Sequence, residues 1–125
     1  MMKIKEADLF DTYEDQISTM YDEIGLLSKK KPDGPVNKFK LKFVNDVLKE
    51  VNTLIGAEYM PFGDFKGFDE DALPTASDVV FILSQYLKSM DKFRHDNTYC
   101  SSGYYYWRLQ GNATEKRTRG PDREV

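Results

Sequence analysis

Residues 75–94, TASDVVFILSQYLKSMDKFR, form the stretch that decides the fold of this chain. Apolar side chains recur in it at alternating steps of four and three residues, as they do along one face of an α-helix. These side chains are Val79, Leu83, Tyr86, Met90 and Phe93, with Val80, Ile82 and Leu87 beside them. Such a broad stripe predicts a central core helix. Thr75 or Ser77 can cap its first N–H groups, and Arg94 suits the negative end of its dipole.

A first helix is predicted on the N-terminal side, over residues 7–28. Its apolar side chains follow a strict spacing of three and four residues and are Phe10, Tyr13, Ile17, Met20, Ile24 and Leu27. The acidic side chains of this segment lie off that seam and include Asp11, Glu14, Asp15, Asp22 and Glu23. We expect this helix to pack inside a bundle, and the alternative is a homodimer formed along the seam.

A second helix is predicted over residues 36–55 and carries two apolar rows. One row contains Leu41, Val44, Leu48, Val51 and Ile55, and the row beside it contains Phe39, Phe43, Val47 and Leu54. Two rows indicate that this helix contacts two neighbours. Asn37 can cap its start and Gly56 can end it. The short linker after the first helix contains two prolines, which favours an antiparallel pair of helices.

Residues 57–73, AEYMPFGDFKGFDEDAL, interrupt the helices with four aromatic side chains among glycines and a proline. Aromatic groups are too apolar to remain in water, so this segment is predicted to form a lid over the bundle or to contact a partner through Phe65 and Phe68. The acidic run 69–71 does not have the ligand spacing of a calcium-binding loop, and we predict no metal there.

After the third helix the pattern becomes extended. Residues 98–101 and 104–107 flank Ser102-Gly103, and the run YYYW at 104–107 is typical of a β-strand. A second turn at Gly111-Asn112 would pair residues 104–110 with 113–119. We therefore predict a small C-terminal antiparallel β-hairpin sheet that uses both turns, with its last strand the weakest. The complete prediction is an α+β chain with a mainly helical three-helix bundle and an aromatic lid loop, one domain over residues 1–119 and a mobile tail over residues 120–125.

The composition excludes several classes of protein. The 125 residues are 40% hydrophobic and 31% charged, which is typical of a folded globular domain rather than a disordered one. The net charge of −3 is too small to predict nucleic acid as a partner. No apolar run is long enough to cross a membrane, and the N-terminus lacks a signal-peptide core. Cys100 is the only cysteine, so we expect a reducing, cytoplasmic location.

Residue types that carry catalysis are sparse. His95 is the only histidine and adjoins Asp96, while Cys100 follows five residues later. A Cys–His nucleophile is therefore the one enzymatic alternative. No glycine-rich phosphate loop, metal-ligand cluster or Cys-x-x-Cys pair occurs. We predict a chain that is not an enzyme, with no catalytic residues, no cofactor and no metal.

The tyrosine-rich hairpin is the most distinctive chemistry of the sequence. Tyrosine and tryptophan offer a large contact area at a low cost in side-chain entropy. We predict a small protein-interaction module that acts by binding another protein, as an inhibitor or adaptor. The predicted partner-binding residues are Tyr104, Tyr105, Tyr106, Trp107, Arg108, Phe65 and Phe68. The alternatives are a purely structural hairpin, and nucleotide or single-stranded nucleic-acid binding by stacking, with Arg108, Lys116, Arg117 and Arg119 as phosphate contacts.

Overall fold

The computed structural model describes residues 2–111 and 115–122. Three helices precede a small antiparallel sheet, so the predicted α+β, mainly helical fold is confirmed. The helices are α1 (Ile4–Lys30), α2 (Lys38–Ile55) and α3 (Ala76–Asn97). The strands are β1 (Thr98–Ser101), β2 (Tyr104–Trp107) and β3 (Arg117–Thr118), in the order β1-β2-β3.

Local side-chain hydrogen bonds start two of the helices where the sequence predicted. The Asn37 side chain accepts a hydrogen bond from the Lys40 amide at the start of α2, at 2.9 Å. Thr75 accepts from the Asp78 amide at the start of α3, at 3.2 Å. Helix α2 ends at Gly56, whose φ of 77° lies in the left-handed region that glycine adopts without strain.

The core lies between the three helices, and α1 packs against both α2 and α3. Leu83 and Tyr86 are fully buried, as predicted for the central helix. Phe10, Ile17 and Ile24 of α1 are buried in the same core. Much of the α1 seam is therefore used inside the chain, as the bundle interpretation requires, while Leu27 at its end is 39% exposed.

The prediction that both apolar rows of α2 contact a neighbour is only partly confirmed. The first apolar row is buried in the core, but Phe39 and Phe43 of the second row are 72% and 47% exposed. The expected second neighbour is therefore missing along the first half of α2 within the described part of the chain. The reason is that α1 meets α2 on the side of Lys40 and Val44 and leaves the phenylalanine rings beyond its edge.

Of the two predicted turns, the one at Ser102-Gly103 lies within the described residues. The β1–β2 hairpin turns at Ser102-Gly103, whose positive φ values of 52° and 84° fit a tight two-residue turn. Strand β3 pairs Thr118 with Tyr105 and Arg117 with Tyr106. The predicted pairing of residues 104–110 with 113–119 is thus observed only around residues 105–107, because the amides of Arg108 and Gln110 donate to the carbonyls of Asn97 and Met2 instead. Asn112 and residues 113–114 lie outside the described residues, so the turn at Gly111-Asn112 stays a prediction.

The C-terminal segment continues beyond the sheet and packs against the helices. The Asp122 amide donates a hydrogen bond to the Asp91 carboxylate of α3, at 2.8 Å. Gly120 passes so close to Tyr105 that an added Cβ would lie 2.7 Å from its ring. Residues 120–122 of the predicted tail are thus held by contacts, while 123–125 lie outside the described residues and their mobility stays a prediction.

A tyrosine and arginine face as the candidate functional site

The three-stranded sheet has an inner face that packs on the helices and an outer face that does not. Side chains alternate between the two faces along each strand. Thr98 and Trp107 are buried on the inner face, and Tyr105 shares that side. The outer face, as we define it here, consists of Tyr99, Tyr104, Tyr106, Arg108 and Arg117.

Aromatic rings and guanidinium groups contact one another across the outer face. Tyr99 and Tyr106 are cross-strand partners whose ring centroids lie 5.7 Å apart in a stacked arrangement. The Arg108 guanidinium lies 5.6 Å from the centre of the Tyr99 ring, and Arg117 lies 3.8 Å from that of Tyr104. Such contacts limit the rotamers of both partners while leaving much of Tyr104, 47%, exposed.

Trp107 supports the outer face from the core side of the sheet and is itself almost completely buried. It is only 1% exposed, and its ring meets Phe10 of α1 edge-on at 5.1 Å. The indole Nε1 also donates to the Asp11 carboxylate at 3.3 Å. The prediction that Trp107 contacts a partner therefore needs correction, because the alternation of β2 turns this large apolar ring inward. We leave Trp107 out of the proposed binding face.

A buried ionic cluster joins the sheet to the helices and was not predicted from the sequence. Arg94, with no exposed surface, donates from Nη2 to Asp11 at 2.6 Å and to Glu14 at 2.7 Å. Its Nη1 donates to the Thr118 hydroxyl at 2.6 Å and to the Arg119 carbonyl at 2.9 Å. The Arg119 side chain forms a further ion pair with Glu14. This cluster fixes β3, and with it one border of the outer face.

The positions of the charged residues within the helical pattern of the sequence contain a signal for this cluster. Glu14 lies four residues after Phe10 and three before Ile17, which are both buried. Arg94 likewise lies four residues after the buried Met90. Each charge therefore stands on the core side of its own helix, where it needs a partner of opposite sign.

The four basic residues considered as phosphate contacts separate into two groups. Lys116 pairs with Asp8 at 2.6 Å, and the hydrogen bond from this carboxylate raises the pKa of the lysine. Arg119 pairs with Glu14 and with Asp122. Arg108 and Arg117 form no ion pair among residues 2–111 and 115–122 and lie on tyrosine rings instead. Only these two guanidinium groups are available to a ligand of the sheet.

Phe65 and Phe68 occupy a different part of the molecule. They contact each other at 5.1 Å, and Phe65 lies 6.5 Å from the Tyr86 ring of α3. The Asn45 side chain of α2 forms two hydrogen bonds with the Phe68 backbone. Its Nδ2 donates to the Phe68 carbonyl, and its Oδ1 accepts from the Phe68 amide. Both phenylalanines are half-buried against the core, so they form the predicted lid. The structure does not bring them into contact with the outer face.

The titratable residues near the end of α3 form a small surface network. Asp96 accepts hydrogen bonds from the Tyr59 hydroxyl at 2.6 Å and from His95 at 3.2 Å. The bond to Asp96 raises the pKa of Tyr59 to about 12. The same bond, with help from His95, lowers the pKa of Asp96. His95 points to Asp96, and no hydrogen bond joins it to the exposed Cys100 in the described part of the chain.

Two further findings concern the described residues as a set. Among them, no group of three or more His, Cys, Asp or Glu side chains is arranged to hold a metal ion. None of the helices they form combines the length and the apolar character that crossing a membrane requires.

Comparison of the chain with protein-family models, with curated proteins and with solved structures gives no match.

Proposed function

We propose that this chain is a small protein-interaction module that binds another protein through the outer face of its sheet. The observation that carries the proposal is the grouping of three tyrosine rings and two guanidinium groups on one uncovered face. Tyrosine and arginine are the residue types most enriched, with tryptophan, among the energetically dominant residues of protein interfaces.

The outer face is supported in a way that favours binding. Trp107 and the Arg94 cluster fix β2 and β3 from below, so the tyrosines project from a rigid base. Contacts across the strands already restrict Tyr99, Tyr104 and Tyr106. A face with restricted side chains loses less conformational entropy when a partner binds, and this saving raises affinity.

The charge of the face indicates the chemistry of the partner. Arg108 and Arg117 carry positive charge and form no ion pair among the described residues. A complementary protein surface would place carboxylates or backbone carbonyls at these two positions and apolar groups against the tyrosines. We further propose that the module works in the cytoplasm, where the exposed thiol of Cys100 stays reduced.

A protein partner is favoured over single-stranded nucleic acid by the surroundings of the tyrosine rings. Stacking of a base needs an open ring face, and the guanidinium groups of Arg117 and Arg108 already occupy one face of the Tyr104 and Tyr99 rings. Lys116 and Arg119 are neutralised by Asp8 and Glu14, so they contribute little to phosphate binding.

The test is affinity capture from cells that express the chain, followed by a binding titration with the purified partner. The variant Tyr104→Ala/Arg117→Ala removes one ring and its guanidinium and should weaken binding at least about tenfold. Phe81→Ala is the matched control, because Phe81 is an aromatic side chain, 55% exposed, on α3. It should bind like the wild type. Equal affinity for the outer-face variant, with its fold verified by circular dichroism, would contradict the proposal.

Two additional measurements separate the alternatives. The variant His95→Ala/Cys100→Ser should retain full affinity for the partner, and loss of cellular activity in this folded variant would point to catalysis instead. Titration with fluorescent single-stranded oligonucleotides at about 50 and 200 mM salt tests the nucleic-acid alternative. Tight binding that falls steeply with salt and disappears in Tyr106→Ala would replace the protein partner with a nucleic acid.

A further inference from the structure

A second uncovered surface lies on the helical hairpin of α1 and α2. The two helices run antiparallel and are joined by an ion pair between Lys40 and Glu23 at 3.3 Å. Beside this pair is an open groove of about 230 Å³ with mainly apolar walls. The groove is lined by Met20, Glu23, Ile24, Phe39, Lys40, Phe43 and Val44.

Large apolar side chains project around this groove. Phe39 and Phe43 are exposed and contact each other edge-on at 5.1 Å. Leu26 and Leu27 of α1 are also exposed and lie one turn beyond Glu23, towards the same end of the hairpin. Of the nine large apolar side chains that are exposed in the described part of the chain, two line the groove and these two leucines lie beside it on the same helical hairpin. Such a concentration marks an interaction site, unlike scattered single residues.

The surface carries opposite charges at its two ends. On α1 the exposed row Thr19, Glu23, Leu26 and Lys30 repeats at steps of four, three and four residues. On α2 the exposed row Phe39, Phe43, Asp46 and Glu50 repeats at the same steps. Because the helices are antiparallel, Lys30 lies at the loop end, with Lys29 and Lys31, and Glu50 lies at the far end. With a rise of 1.5 Å per residue these ends are about 25 Å apart.

Within the described residues, these end charges have no partner of opposite sign. Lys30, Asp46 and Glu50 are exposed and form no ion pair among the residues that the structure describes. Consider a two-fold axis that crosses the groove at right angles to the helices and lies in the plane of this surface. It would bring the basic end of one copy onto the acidic end of the other. The same axis would put the exposed phenylalanines of each copy against the groove of its partner, because the projecting rings and the groove adjoin on one surface.

We infer that the α1–α2 surface is the interface of a homodimer, formed by two copies that lie antiparallel across this axis. The surface is self-complementary in both shape and charge, which is the condition for a two-fold interface. Phe39 is its central contact and enters the groove of the partner copy. The groove and the outer face of the sheet have no residue in common, so the two surfaces can be tested separately.

Sedimentation equilibrium of the full chain tests this interface. The wild type should be dimeric at about 0.1 mM, and Phe39→Ser should weaken the dimer at least about tenfold. Phe81→Ser is the control for loss of an exposed aromatic ring and should leave the dimer unchanged. A wild type that is monomeric at this concentration overturns the inference, as does a dimer that survives Phe39→Ser.

A charge exchange tests the antiparallel arrangement. Reversing the basic end with Lys29→Glu/Lys30→Glu should weaken the dimer, and this weakening should diminish at high salt. Reversing the acidic end as well, with Asp46→Lys/Glu50→Lys, should restore the dimer, because opposite charges face each other again. Failure of the fourfold variant to associate better than the double variant overturns the arrangement, provided that circular dichroism shows both to be folded.

Discussion

Replacement of Arg94 by methionine tests whether the buried ionic cluster holds the C-terminal segment on the helices. Methionine keeps much of the apolar volume of the side chain but removes the charge and four hydrogen bonds. The Glu14 carboxylate would then stay buried with Arg119 as its remaining partner. Asp11 would keep its hydrogen bonds with Thr118 and Trp107.

The magnitude follows from these remaining partners. Removal of one member of a buried ion pair typically costs about 3–5 kcal/mol, because the other charge is left in a medium of low polarity. Neither carboxylate is left without a partner, and Asp11 is partly exposed to water. We therefore expect the lower part of that range, about 3 kcal/mol, in the free energy of unfolding. A domain with a total stability of about 5–15 kcal/mol would remain folded.

Urea denaturation followed by circular dichroism measures this loss, and hydrogen exchange locates it. We expect the amides of Thr118 and Asp122 to exchange faster in Arg94→Met, because Arg94 holds that segment directly. Arg94→Lys should lose less stability, since lysine keeps the charge but not the forked geometry. Arg108→Met is the matched surface control and should change stability by no more than about 0.5 kcal/mol.

Two results would refute the reasoning about the cluster. A loss below about 1 kcal/mol in Arg94→Met would show that the cluster contributes no more than an exposed ion pair. A double variant Arg94→Met/Glu14→Leu should recover part of the stability, because it removes a buried carboxylate together with its cation. A fully additive loss in the double variant would show that the two residues are not coupled.

Two further predictions concern the core and the surface network. Leu83→Ala should lower the free energy of unfolding by about 2–5 kcal/mol, because it removes buried apolar surface and leaves a cavity at the centre of the bundle; a loss below about 1 kcal/mol in chemical denaturation would place α3 at the periphery. The second prediction concerns Tyr59, whose folded-state pKa of about 12 lies above its ordinary value of 10.0. The stability from its bond to Asp96 is therefore complete below pH 10 and decreases as the pH rises from about 10 to 12. The stability difference between the wild type and Tyr59→Phe should shrink over this range, and a constant difference would contradict the assignment.

The candidate site was only partly predictable. The YYYW run and the turn at Ser102-Gly103 predict the strands and therefore the alternation of their side chains. They do not say which face meets the helices, because a strand of four aromatic residues is apolar on both sides. The contacts of Trp107 with Phe10 and Asp11, about a hundred residues earlier in the chain, settle that choice. Arg108 belongs to the outer face for the same reason.

By itself the sequence determined the features that depend on near neighbours along the chain. The caps at Asn37 and Thr75 are hydrogen bonds across three residues, so the local order of residues is enough to form them. The register of β1 and β2 likewise follows from the two-residue turn at Ser102-Gly103. Helical periodicity also identified the buried side of α3.

Only the tertiary structure decided where the charges and the exposed aromatic rings lie. Glu14 and Arg94 are 80 residues apart, and each is buried because the other neutralises it. Phe39 and Phe43 have the spacing of core residues but are exposed, because no segment of the described chain covers that side of α2. Burial depends on which distant surfaces meet, and the free energy of a buried charge or an exposed ring is set by those surfaces rather than by the residue type.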